Sequence, residues 1–80
     1  MQPKNKHQKH LYYLGERIKS ERHLQGKNEE MVAQATGISQ PTLSRIENGR
    51  HDNLKFTTLI DLFDYLDIPL TEIHPALLTK

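Results

Sequence analysis

Eighty residues with a net charge of +1 and no cysteine make one small domain, and they exclude disulfides and thiolate chemistry. No apolar run approaches the roughly 18 residues that span a bilayer. The N-terminal MQPKNKHQKH is basic but lacks the apolar core of a signal peptide, so a cytoplasmic protein is expected.

Residues 1–10 carry three Lys and two His with no apolar periodicity and read as a flexible basic arm. Such an arm either reaches DNA phosphates or a minor groove, or serves as a solubilising tail. His7 and His10 lack a third ligand nearby, so no metal site is expected. A domain is expected over residues 11–78. Its first helix runs from about Leu11 to Leu24, with Leu11, Leu14 and Ile18 at helical spacing. Gly15 weakens that helix and marks close packing; Gly26 stops it.

A second helix opens at Asn28, a good N-cap, with Glu29 and Glu30 in the first turn, where the helix dipole favours anions. Val32 and Ala33 point inward, Gly37 ends the helix and Ile38 is buried in the turn. Ser39 caps a third helix, with Pro41 in its first turn, where a missing N–H costs little. Leu43 and Ile46 form its buried stripe, and Asn48-Gly49 closes it. The stretch 28–48 therefore has the parts of a helix-turn-helix in order: a helix, a glycine-permitted turn, and a helix able to lie in a DNA groove. A loop from Arg50 to Lys55 precedes a fourth helix, about Phe56 to Leu66. Leu59, Leu62, Phe63 and Leu66 face inward there, and Asp61, Asp64 and Asp67 lie outside. A short fifth helix is expected from about Leu70 to Leu78, with Pro75 limiting it. The fold class is all-α with five helices.

Charge is unevenly placed. Residues 1–50 carry nine Lys/Arg against five Asp/Glu, and residues 51–80 carry two against five. This pattern suits a basic DNA-facing part and an acidic part facing elsewhere, although three of those cations lie in the arm.

LGERIKSER, VAQATGIS, SQPTLSRIENG and LIDLFDYLDIPLTEI, in that order and spacing, resemble the lambda-repressor-like, XRE-type helix-turn-helix family over residues 14–73. The resemblance implies that the third helix enters the major groove. Gln40 and Arg45 match the family's base-contacting positions. Gln pairs bidentately with adenine and Arg with guanine. Pro41 offers only apolar contact, and Thr42 and Ser44 reach a base edge or a phosphate. Asn28, Ser39, Asn48, Arg50 and Lys55 are the expected phosphate contacts. Arg22 and Glu47 match an internal ion pair and are assigned to structure. Glu29 replaces a Gln common in the family and opposes phosphate, and Asp52 and Asn53 dilute a loop that is often basic. Backbone affinity then leans on Lys55, Lys27 and the arm, unless the Lys27 stem only covers the edge of the core.

The enzyme reading is rejected. His23, His51 and His74 are dispersed, no Gly-rich phosphate loop is present, and Asp61 with Asp64 reads as a solvated helix face, so no catalytic residue, metal or cofactor is expected. A membrane surface has no apolar face to bind. Tyr12, Tyr13 and Tyr65 form no stacking platform for RNA. The expectation is a sequence-specific transcriptional regulator, a repressor, that binds double-stranded DNA at a palindromic operator as a homodimer. Leu70, Ile73, Leu77 and Leu78 are the expected dimer surface; alternatively they close the monomer core. The rival reading is a protein-interaction module, such as the antitoxin partner of a toxin or a restriction–modification controller.

Overall fold

Leu14, Ile18 and Arg22 recur every four residues along the first helix, and all three are buried. They form the inner face of α1 (Gln8–Leu24) in a computed structural model that describes residues 8–51 and 54–73. Three further helices follow: α2 (Glu29–Thr36), α3 (Gln40–Glu47) and α4 (Phe56–Tyr65). α1 packs on α3, and α2 packs on both α3 and α4. Val32, Leu43, Ile46, Leu59, Leu62, Phe63 and Leu66 join Leu14 and Ile18 in one core, with Ile38 packed at its edge.

The α1–α3 crossing needs Gly15. A Cβ there would collide with the Ile46 carbonyl oxygen and lie 2.9 Å from that of Glu47. Only a residue without a side chain lets the backbone of α3 come this close. The sharp turn between α2 and α3 rests on Gly37, whose φ of +78° is left-handed, and whose N–H donates to the Ala33 carbonyl.

Three helices end in one way. After α1, Lys27 N–H donates to Arg22 O and Gly26 N–H to His23 O; after α3, Arg50 donates to Arg45 and Gly49 to Ile46. After α4, Ile68 donates to Phe63 and Asp67 to Asp64. This pair of bonds is the Schellman closure, which requires a left-handed residue. Glycine fills that position in α1 and α3, but in α4 it is Asp67, at φ 59°.

The structure departs from the sequence reading in two places. α1 begins at Gln8, not Leu11, because Gln8, Lys9 and His10 are adequate helix formers that carry no apolar signal. Of the fifth helix expected from about Leu70 to Leu78, the described residues show a 3₁₀ turn, Leu70–Glu72, entered from Pro69, and residues 74–78 lie outside them. Among the described residues there are four α-helices and no strand. Ile73, expected at a dimer surface, is 3% exposed and belongs to the monomer core, whereas Leu70 is 51% exposed. Leu77 and Leu78 lie outside the described residues, as do most of the arm and Asp52 and Asn53. No described helix is long and apolar enough to cross a membrane.

Candidate nucleic-acid interface

α3 has two faces, and the buried one is fixed by charge as well as packing. Arg22 on α1 grips Glu47 through Nε to Oε2 at 2.7 Å and Nη2 to Oε1 at 2.9 Å. Its Nη1 donates to the Lys27 carbonyl at 2.9 Å. The side chains are 8% and 1% exposed. The fork geometry is the strong, bidentate form of an Arg–carboxylate bond. Hydrogen bonding to Glu47 raises the Arg22 pKa, with burial pushing the other way and the nearby Glu29 adding to the rise. Arg22 and Glu47 thus hold each other across the contact between α1 and α3.

With Leu43, Ile46 and Glu47 buried, the outer face of α3 presents Gln40, Pro41, Arg45 and Asn48 exposed, and Thr42 and Ser44 half-buried. Ser39 caps the helix by accepting from the Thr42 N–H at 3.3 Å, and it also meets the Thr42 hydroxyl at 2.8 Å. Arg45 Nη2 lies 3.5 Å from that same hydroxyl. Asn48 Nδ2 donates to the Ser44 carbonyl at 2.9 Å. The expected base-reading residues therefore share one side of one helix. Two of them, Gln40 and Arg45, carry long side chains with several donors free to meet a base edge.

The groups expected at phosphates come from α3 and from the elements on either side of it. Asn28 caps α2 through Oδ1, which accepts from the Met31 N–H at 2.8 Å, so its amide donors stay available. Arg50 is exposed just past the end of α3. Lys55 is exposed at the start of α4, and a groove of about 280 Å³ is lined by Lys55 together with Ser39, Thr42, His51, Leu54 and Thr58. The fold thus brings Ser39 and Lys55 together from separate elements. His51, which the sequence shows only as one of several dispersed histidines, and Thr58, a lone Thr with no pattern, also line this groove.

Lys27 points elsewhere. Its ammonium lies 4.4 Å from the Tyr65 ring centroid and donates to Gln25 Oε1 at 2.9 Å. It covers the edge of the core, and a phosphate would have to compete with that cation–π contact. Among the described residues, no group of three or more His, Asp or Glu is placed to hold a metal. A family model described as helix-turn-helix matches residues 18–73, from the middle of α1 to the last buried residue after α4. No curated protein and no solved structure matches the chain.

Proposed function

The chain belongs to the XRE-type helix-turn-helix family of DNA-binding regulators, and from that membership we propose that it is a cytoplasmic repressor reading a palindromic operator as a homodimer. The observation that carries this reading is the outer ridge of α3. Its polar side chains face solvent while its inner face is locked to α1 by Arg22, Glu47 and Gly15. A helix held this rigidly presents base-reading groups in one register, which is what sequence discrimination demands.

In this reading α3 lies in the major groove. Gln40 pairs with an adenine and Arg45 with a guanine, Pro41 meets a thymine methyl, and Thr42 and Ser44 add polar contacts at the groove wall. Asn28, Ser39, Asn48, Arg50 and Lys55 hold phosphates and set the docking angle, carrying no sequence information themselves. One such ridge reads only a few base pairs. Two copies, with recognition helices about 34 Å apart, would read half-sites one helical turn apart. Leu70, exposed on the turn after α4, together with Leu77 and Leu78, supplies the apolar contact between copies.

Selection from random duplex DNA tests this, with light scattering of the free protein and of the complex. The expected result is one enriched palindrome bound by two chains. Recovery of no preferred sequence, or of a single half-site bound by one chain, would refute the dimeric operator reader.

A further inference from the structure

We propose that Thr42 is the positioning residue of Arg45, the middle member of a relay that starts at the N-cap of α3 and fixes the guanidinium before DNA arrives. The inference rests on the reading of Arg45 as a base reader. Ser39, Thr42 and Arg45 are spaced three apart, which puts all three on neighbouring turns of one helix face.

The direction of each bond follows from which groups can donate. The Thr42 backbone N–H can only donate, and it does so to Ser39 Oγ at 3.3 Å. The Ser39 proton is then turned to Thr42 Oγ1, 2.8 Å away. Arg45 Nη2 also can only donate, and the acceptor it meets, at 3.5 Å, is that same Thr42 oxygen. Thr42 Oγ1 therefore accepts from both sides, and the side chain of the N-cap is coupled to the guanidinium through one hydroxyl. Thr42 is β-branched, so its χ1 is restricted, and the Ser39 contact holds it further. Arg45 is otherwise a long, exposed side chain. Tethering one Nη leaves the rest of the planar fork aimed outward, ready to meet the two acceptors of a guanine edge. Docking excludes water from the ridge, and a hydrogen bond gains strength when its surroundings become less polar.

The test uses the operator obtained by selection and measures the discrimination ratio, the Kd for a substituted base pair over that for the preferred one. The position scored is the one at which Arg45→Ala loses preference. Thr42→Val should lower the ratio there by roughly two- to tenfold, the worth of one ordinary hydrogen bond. Thr42→Ser should restore it. In the Arg45→Ala background Thr42→Val should add nothing at that base pair. Melting curves should stay unchanged, since valine keeps the shape and the backbone N–H of residue 42; Thr42→Ala, scored in the same way, serves if valine perturbs the fold. A full ratio in Thr42→Val while Arg45→Ala loses preference would overturn the relay alone. So would an equal effect of Thr42→Val at that base pair with and without Arg45, which would mean that Thr42 acts there directly and not through Arg45. An Arg45→Ala protein that keeps every base preference would overturn the base-readout reading together with the relay.

Discussion

A charge sealed in protein has no water to fall back on, so the Arg22–Glu47 pair is costly to break from one side only. Arg22→Ala would leave a carboxylate that is 1% exposed without its partner and would free the Lys27 carbonyl as well. The expected loss is about 3–5 kcal/mol, a large share of the roughly 5–15 kcal/mol that holds a domain folded. Urea denaturation measures it. The double variant Arg22→Met/Glu47→Leu, which removes both charges and keeps the volume, should recover most of the loss. A single-variant loss below about 1 kcal/mol would mean that water reaches the pair. Arg45→Ala makes the opposite case. Arg45 is exposed, so its removal should leave stability within about 0.5 kcal/mol of the original. It should cost about 1–3 kcal/mol of discrimination at one operator base pair, read by binding titration against single-base variants. An equal loss on operator and random DNA would reassign Arg45 to the phosphates.

Among the elements, the closing turns separate what the sequence discloses from what it hides. Gly26, Gly37 and Gly49 mark helix ends because glycine takes positive φ freely, and the apolar stripes of α1 to α4 were legible from their spacing. The end of α4 fell where its stripe placed it, near Leu66, but the left-handed closure beyond it was not legible. Asp67 adopts φ 59° although an aspartate gives no stop signal as strong as glycine, and the N–H bonds of Asp67 and Ile68 hold it there. The extra turn of α1 was missed because polar helix formers leave no periodic trace. The placement of Lys27 over Tyr65 was hidden because it depends on contact between the α1–α2 loop and α4. For the candidate interface, spacing separates the outer from the inner face of α3, but the groove shared by Ser39 and Lys55 exists only after folding. Asp67 yields a prediction with one sign from two causes. Glycine would remove the left-handed cost, and the lost carboxylate would no longer oppose the negative end of α4. Asp67→Gly should therefore stabilise the domain by about 0.5–1 kcal/mol despite the added freedom of the unfolded chain. Asp67→Asn should give the electrostatic part alone. A lower Tm for Asp67→Gly would mean that the aspartate side chain stabilises this turn.

On the scale of the whole molecule, the first helix is tied to the last described turn by a charged network that no sequence pattern disclosed. Arg17 on α1 donates through Nε to Glu72 Oε1 at 2.6 Å and through Nη2 to Oε2 at 3.2 Å, and Nη1 reaches Glu21 at 2.8 Å. Gln25 extends the network, donating to Glu21 at 3.0 Å and to the Leu66 carbonyl at the end of α4 at 2.6 Å. The Arg17 hydrogen bonds hold the Glu72 and Glu21 carboxyls below the ordinary value near 4.5, with desolvation opposing in both; at Glu21, Gln25 helps to lower it. A carboxyl whose pKa is lowered by folding contributes stability above its unfolded value and loses it as pH falls through the lowered, folded value. Acid should therefore loosen the attachment of α1 to the turn that carries Leu70 and Glu72. The side chains of Arg17 and Glu72 are 26% and 31% exposed, so solvent screens the pair, and its worth is at most about 1 kcal/mol. In a domain of this size that corresponds to roughly 4–8 °C in Tm. Glu72→Gln should melt lower than the original chain at pH 7 by up to that amount. The gap should close as pH falls below about 4, because the original chain loses the Glu72 contribution there and the variant has none to lose. A gap that stays constant from pH 7 to pH 3 would show that Glu72 acts through packing and not through its charge. Since the pair is partly exposed, the gap at pH 7 should also shrink in 1 M salt, where the Debye length falls to about 3 Å.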